Sequence, residues 1–219
     1  MPIFKNVDNI KENNILFIHI PKTGGSSIET YFIKKCESNN KNDMLITPEN
    51  TNFIKLGKSA QHLEYKTIME NKDILNLDTC SFSKIITIVR NPYTRIISEL
   101  FWNKSINNDM NANDVFNVLL NILNKYKDNN NIYDNHIRPQ YQFIIDNNGK
   151  INKDIIILRN EKLNEMMHHI GYTDFNEKAH VGSTNINYFK YLNRKSIHLI
   201  NKFYKNDFLC FGYKIIRIK

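Results

Sequence analysis

Cysteine is scarce in this chain of 219 residues, and its spacing excludes two kinds of protein. The three cysteines, Cys36, Cys80 and Cys210, lie far apart and form no C-x-x-C pair. So odd and sparse a set does not build the disulfide framework of a small secreted domain, and it offers no readable zinc site. We therefore expect a protein of a reducing compartment without a metal site.

Long apolar runs are missing as well. The first residues, M-P-I-F-K-N-V-D-N-I-K-E-N-N, lack the apolar core of a signal peptide. No later run approaches the length needed to span a bilayer. These two absences predict a soluble, cytoplasmic protein with no membrane span.

Blocks of like charge are also absent, although the chain carries a formal net charge of +8. A positive charge favours anionic partners, such as nucleic acid, an acidic glycan or a multiply charged nucleotide. The lysines are scattered, with no basic tail, so we expect no nucleic-acid partner. An anionic small molecule or glycan remains.

The apolar patterning predicts one α/β domain over residues 1–219. Hydrophobic residues make up 41% of the chain, as in a folded globular protein. Three apolar runs predict buried strands, and helical spacing follows each of them: the first starts at Ile15, and the others span Ser83–Val89 and Asp154–Leu158. Alternation of buried strands and helices predicts a central parallel sheet flanked by helices in three layers. Further patterns predict a short strand within Met44–Leu56, helices over Val115–Tyr126, Pro139–Asp146 and Tyr188–Tyr204, and a last strand within Phe208–Ile218.

The most informative stretch is the loop K-T-G-G-S-S, between the first strand and its helix. Adjacent glycines allow a sharp turn and a close approach of backbone to a ligand. Either serine could cap the helix, whose free amides would point into the loop. With a lysine added, the loop predicts a concave site for a phosphate or sulfate. Its candidate contacts are Lys22, Thr23, Gly24, Gly25, Ser26 and Ser27.

A second anion site is predicted where the second strand ends. Arg90 follows that strand and offers a rigid guanidinium fork for a phosphate, and Ser98 lies two turns along the next helix. Because ligands of open parallel sheets bind at the carboxyl ends of strands, both sites fall on one edge of the sheet. The first loop is not an ATP-binding P-loop, since its lysine precedes the glycines instead of following them.

This order of lysine, glycines and serines resembles the 5′-phosphosulfate loop of sulfotransferases that use 3′-phosphoadenosine 5′-phosphosulfate (PAPS). The closest resemblance is to the carbohydrate type, whose first strand often ends in P-K-T-G-G-[ST]-[ST]. The segment R-N-P-x-x-R-x-x-S is similar to the 3′-phosphate motif of the same enzymes, with Arg90 and Ser98 in the contacting positions. The resemblance implies a P-loop-NTPase-like sulfotransferase fold, PAPS as cofactor, and no metal.

Three further segments extend the resemblance along the chain. Gln61-His62-Leu63 resembles the family's Q-H-L-T-A element, and 136–140 resembles its H-x-R-P-Q element. The ending, Y-K-N-D-F-L-C-F-G-Y, resembles its Y-x-x-D-F-x-x-F-G-Y close. Departures are Glu64-Tyr65 in place of Thr-Ala, and the lack of the membrane anchor usual in Golgi members.

The resemblance and the chemistry together assign roles. Lys22 and the loop amides would stabilise charge on the leaving nucleotide, and His62 is the expected base for the acceptor hydroxyl. His136 is the rival base, and residues 179–184 are a candidate lid over the nucleotide. The expected reaction is in-line sulfuryl transfer from PAPS to a hydroxyl, with a carbohydrate as the favoured acceptor. The alternatives are a nucleotide kinase or NTPase of related fold, and a non-catalytic binder of an acidic polymer.

Overall fold

The computed structural model describes residues 3–11, 13–36, 59–72, 75, 77, 81–176 and 187–218. Within them, four strands form one sheet in the order β1-β2-β3-β4. The strands are β1 (Ile3–Phe4), β2 (Ile15–Ile18), β3 (Lys84–Val89) and β4 (Ile155–Arg159). β2, β3 and β4 are parallel, and β1 pairs antiparallel with β2 at the edge.

Helices account for most of the remaining described chain. The α-helices are α1 (Gly25–Lys35), α2 (Tyr65–Glu70), α3 (Pro92–Trp102), α4 (Ala112–Asp128), α5 (Leu163–His169), α6 (Arg194–Phe203) and α7 (Lys205–Phe211). Short 3₁₀ turns lie at Val7–Asn9, Ala60–His62, Tyr133–Asn135, Gln140–Phe143, Asn160–Lys162 and Tyr188–Tyr191. None of the described helices combines the length and the apolar character that crossing a lipid bilayer requires.

The sheet has a hydrophobic core on each face, because side chains alternate along its strands. In β2, Ile15 and Phe17 join a core with α1 and α5, whereas Leu16 and Ile18 join a core with α2 and α7. A third core lies among α3, α4, α6 and α7, around Tyr93. The α/β fold with helices on both faces of a mainly parallel sheet is therefore confirmed.

Two of the expected elements are wrong. The final strand expected within Phe208–Ile218 is absent from the described chain; its first residues belong to α7, which buries Phe208 and Phe211 at a helical spacing of three. Helix α7 ends at Gly212, whose φ of 64° suits a glycine C-cap. The helix expected over Pro139–Asp146 is only a 3₁₀ turn, Gln140–Phe143. The strand expected within Met44–Leu56 lies outside the described residues.

The register of the sheet sets the position of the site. In the parallel pairing, Ile18 lies opposite Thr87, and Val89 lies opposite Arg159. The carboxyl ends of β2, β3 and β4 therefore lie side by side. The three chain segments that leave them, beginning at His19, Arg90 and Asn160, meet at one edge of the sheet.

Candidate active site

Two hydrogen bonds fix the shape of the loop that follows β2. The hydroxyl of Thr23, which is fully buried, donates to the carbonyl of Ile20 at 2.8 Å. The amide nitrogen Nδ2 of Asn160, just beyond β4, donates to the Thr23 carbonyl at 2.8 Å. Lys22 and Gly24 adopt positive φ values of 64° and 95°. The loop thus has a fixed shape that depends on a neighbouring strand end.

Close packing requires both glycines of the loop. A Cβ on Gly24 would lie 2.6 Å from Nδ2 of Asn160. A Cβ on Gly25 would lie 2.4 Å from Nε2 of His19, a ring that Glu29 holds at 2.6 Å from its Nδ1. His19 therefore packs directly beneath the loop.

The serines do not cap α1, which corrects the expected role of Ser26 or Ser27. The helix begins at Gly25 with Gly24 as its N-cap, and no side chain accepts from its first amides. Ser26 is exposed, and the buried hydroxyl of Ser27 has no partner among the described residues. A helix N-terminus without a side-chain cap leaves its first amides available to an anion.

Arg90 joins the two predicted anion sites. Its Nη1 donates to the carbonyl of Lys22 at 3.3 Å, its Nε donates to Thr94 at 3.1 Å, and its guanidinium lies over the ring of Tyr188. Ser98 is half-buried on α3, and no hydrogen bond joins it to either Arg90 or Lys22. The structure therefore brings Lys22 and Arg90 into contact, and Ser98 takes no part in that contact.

Arg95 has a role that the sequence analysis does not identify, although it is the second arginine of the segment R-N-P-x-x-R-x-x-S. It is 2% exposed, and its guanidinium donates to three carbonyls, those of Pro21, His136 and Arg138, each at 2.9 Å. One side chain thus ties the anion-binding loop to the segment that carries His136. The available signal was its place in the segment R-N-P-x-x-R-x-x-S, in the first turn of the helix that follows Arg90.

Three histidines line the site, and each is paired with a carboxylate through Nδ1. His19 lies 2.6 Å from Glu29, His62 lies 2.8 Å from Asp134, and His136 lies 2.6 Å from Glu99. Their rings form a row, with centroids 5.3 Å apart between His19 and His62 and 4.8 Å apart between His62 and His136. A carboxylate on Nδ1 fixes the orientation of an imidazole and leaves Nε2 for other chemistry.

His62 is buried and held on several sides. Burial lowers its pKa, and the hydrogen bond to Asp134 offsets this only in part. Although burial opposes it, hydrogen bonds from His62 and Ser59 lower the pKa of Asp134 to about 2. Asn135 donates to the carbonyl of His62 at 2.8 Å. His62 is therefore neutral near pH 7, which is the protonation state that a general base needs.

The ammonium group of Lys22 lies over Trp102, 5.0 Å from the ring centroid. The indole in turn stacks on His136, with centroids 4.6 Å apart and planes inclined by 24°. Burial lowers the pKa of Lys22; the carboxylate of Glu99 opposes this, and Arg90 adds to it. Lys22, His136 and His62 thus belong to one continuous cluster.

The segment 136–140 supplies structural contacts at almost every position. Arg138 pairs with Glu64 at 2.9 Å, so the glutamate that departs from the family pattern has a local partner. The side chain of Gln140 accepts from the Arg90 amide at 2.8 Å and donates to the Arg90 carbonyl at 2.9 Å. Buried Asp207 accepts from the amides of Gln140 and Tyr141, both at 2.9 Å. The C-terminal helix α7 therefore supports the backbone at Arg90.

Within the part of the chain that the structure describes, one group of side chains could hold a metal ion. His62, Asp134 and His136 each offer one ligand atom, and these atoms lie within 4.8 Å of one another. In the described structure the carboxylate is already engaged by His62 and Ser59. That no metal takes part in the reaction stays a prediction.

A glycine-rich loop that leads into a helix N-terminus, with an arginine beside it at the carboxyl edge of a mainly parallel sheet, is an arrangement with which α/β proteins bind phosphorylated or sulfated ligands. A sequence model of the sulfotransferase family matches residues 6–214, and the chain belongs to this family. No curated protein and no solved structure matches the chain. The family membership confirms the resemblance read from the motifs.

The candidate lid at residues 179–184 lies outside the described residues.

Proposed function

We propose that this sulfotransferase moves a sulfuryl group from PAPS to a hydroxyl of a carbohydrate by in-line displacement. The observation that carries the proposal is the contact between the two anion sites, in which Arg90 donates to the carbonyl of Lys22 at 3.3 Å. A nucleotide with phosphates at both its 3′ and 5′ positions requires two such sites close together. ATP requires only one phosphate-binding loop, and in that loop the lysine follows the glycines.

The loop would hold the 5′ end of the donor. The ammonium group of Lys22 and the uncapped first amides of α1 would stabilise the negative charge that builds on the bridging oxygen. The hydroxyl of Thr23 is already engaged by Ile20, so Thr23 would contribute its backbone amide. Gly24, Gly25, Ser26 and Ser27 complete this half of the proposed donor site.

Arg90 and Ser98 would hold the 3′-phosphate. The guanidinium of Arg90 supplies a charge-assisted, forked donor, and Thr94 and Tyr188 fix its position. The hydroxyl of Ser98 makes no other hydrogen bond among the described residues, so it is available as a second donor.

His62 would accept the proton of the acceptor hydroxyl. Its lowered pKa keeps the imidazole neutral, and Asp134 stabilises the imidazolium that forms. His136 is the second candidate, since Glu99 orients it in the same manner. The net charge of +8 favours an anionic acceptor, such as a glycan that carries carboxylates.

Donor binding provides the direct test. We expect Lys22→Ala and Arg90→Ala each to weaken binding of adenosine 3′,5′-bisphosphate by about 10- to 100-fold, the cost of losing a charge-assisted hydrogen bond. Isothermal titration calorimetry would measure this, with Lys150→Ala and Arg194→Ala as matched exposed controls. Wild-type protein that binds only ATP-Mg²⁺ would overturn the proposal, and unchanged binding in both variants would remove the two residues from the donor site.

Metal removal tests the assigned charges. Because Lys22 and Arg90 supply the positive charge at the donor, we expect sulfotransfer to persist unchanged in excess chelator. The measurement is transfer of labelled sulfate before and after dialysis against EDTA. Loss of activity that Zn²⁺ restores would instead assign a metal to His62, Asp134 and His136.

A further inference from the structure

Trp102 is the only tryptophan of the chain, and it stands exposed among the candidate catalytic residues. It is the last residue of α3, and 59% of its surface is accessible. Single exposed apolar residues are ordinary on protein surfaces. This one differs in its place, since it contacts both the lysine of the anion-binding loop and one of the two candidate bases.

A stacked histidine fixes the orientation of the indole. His136 stacks against it at 4.6 Å, and Glu99, one turn earlier on α3, holds that imidazole through Nδ1 at 2.6 Å. Stacking of the imidazole covers one face of the indole, and 59% of the residue surface remains accessible to a ligand. The platform is therefore rigid, flat and partly apolar, and it lies directly beside the row formed by His136 and His62.

We propose that Trp102 is the stacking platform for a pyranose ring of an anionic glycan acceptor. This rests on the proposed sulfuryl transfer. The electron-rich face of an indole attracts the polarised C–H groups on the flat side of a sugar ring, as it attracts cations. A sugar seated there would bring a hydroxyl of its own ring or of the adjoining ring toward His62 and His136. The excess of positive charge selects a glycan that carries carboxylates over a neutral one.

Lys22 couples this platform to the donor site. Its ammonium group lies 5.0 Å from the indole centroid, where it would compete with a sugar for contact with the ring. A charge-assisted hydrogen bond to an anion is stronger than an exposed cation–π contact. Donor binding therefore draws Lys22 away from the indole and opens the platform, so acceptor affinity rises when the donor site is filled.

Because Trp102 is the only tryptophan of the chain, the tryptophan fluorescence of the protein reports on the surroundings of Trp102 alone. The first titrant is adenosine 3′,5′-bisphosphate, which we expect to change the emission of the full-length protein as Lys22 leaves the indole. The second titrants are hexasaccharides of alternating glucuronate and N-acetylhexosamine, namely heparosan and unsulfated chondroitin, with maltohexaose as the neutral control. We expect a saturable change with at least one of the two anionic glycans, at lower concentration when the nucleotide is present.

Kinetics separate a stacking role from a structural one. In sulfation of the responding hexasaccharide, Trp102→Ala is expected to raise the acceptor KM about tenfold, and Trp102→Phe to retain most of the affinity. The dissociation constant of adenosine 3′,5′-bisphosphate should rise by no more than about twofold in either variant, because the indole makes no contact with the donor in this proposal. Leu209→Ala removes an exposed apolar side chain elsewhere on the surface and should change neither value.

Several results would overturn the platform. An unchanged KM in Trp102→Ala would do so, and so would a lower kcat at constant KM, which would make Trp102 a positioning residue for His136. Weaker nucleotide binding in Trp102→Ala would assign the indole to the donor. A response to neither anionic glycan, or to maltohexaose alone, would also end the proposal. If the wild type fails to bind the nucleotide at all, it is the proposed function that fails.

Discussion

Replacing His62 by alanine is expected to lower turnover by about 10²- to 10⁴-fold, the usual contribution of a general base. Binding of adenosine 3′,5′-bisphosphate should be retained, because the donor contacts are assigned to the Lys22 loop and Arg90. The measurements are kcat with labelled donor and calorimetric binding of the nucleotide. Wild-type turnover in this variant would remove His62 from the mechanism, and loss only in His136→Ala would transfer the role to that residue.

The pH profile sharpens the same test. Turnover by a neutral histidine falls at acid pH as the imidazole becomes protonated, and the lowered pKa of His62 places that fall below the ordinary range of histidine. The hydrogen bond that His62 donates to the Asp134 carboxylate raises the pKa of His62, so loss of that negative charge in Asp134→Asn lowers the pKa further. The acid limb of the kcat profile should then move to lower pH, while kcat itself falls. A limb that stays in place would show that another group titrates.

Arg95→Met is expected to have the largest effect on stability. The substitution keeps much of the side-chain volume but leaves three carbonyls without their donor, those of Pro21, His136 and Arg138. At a cost of about 1–3 kcal/mol for each unsatisfied buried group, the free energy of unfolding should fall by several kcal/mol. For a chain of this size, that corresponds to a drop in Tm of about 10 °C or more.

Arg95→Met should also loosen the donor site, because the carbonyl of Pro21 belongs to the turn that carries Lys22. Circular dichroism would follow unfolding, and calorimetry at a temperature where the variant is folded would follow nucleotide binding. Arg194→Met, at an exposed position on α6, is the matched control. An unchanged Tm would contradict the assigned role of Arg95.

The strands and the turn between β2 and α1 could be predicted because their signals are local. β2, β3 and β4 are short apolar runs with both faces covered, and the order of lysine and glycines in the loop is readable within a few residues. β1 spans only two residues and exists through its pairing with β2, so it leaves no pattern of its own. The strand expected within Phe208–Ile218 is wrong because the apolar residues there fit both the strand period of two and the helix period of about 3.6. Only tertiary packing, which buries Phe208 and Phe211 on one side of a helix, decides between them.

The carboxylate partners could not be predicted for a different reason. Asp134 and Glu99 reach their histidines across 72 and 37 residues of chain, and each lies in a segment without a readable motif. Arg95 likewise donates to three carbonyls that come together only in the folded protein. Sequence motifs located the groups that would touch the donor, whereas the groups that orient them depend on tertiary contacts.

The hydrogen bonds that join Asp207 to Gln140, and Gln140 to Arg90, have a consequence for folding during synthesis on the ribosome. Both ends of the Gln140 amide hold the backbone of Arg90, and Asp207 in turn holds the backbone of Gln140. The nascent chain therefore lacks the support of Arg90 until Asp207 has left the exit tunnel. Lys22 and its loop are synthesised well before Asp207, so the 3′ half of the proposed nucleotide pocket is completed after the 5′ half, and a chain that stops short of Asp207 lacks this support.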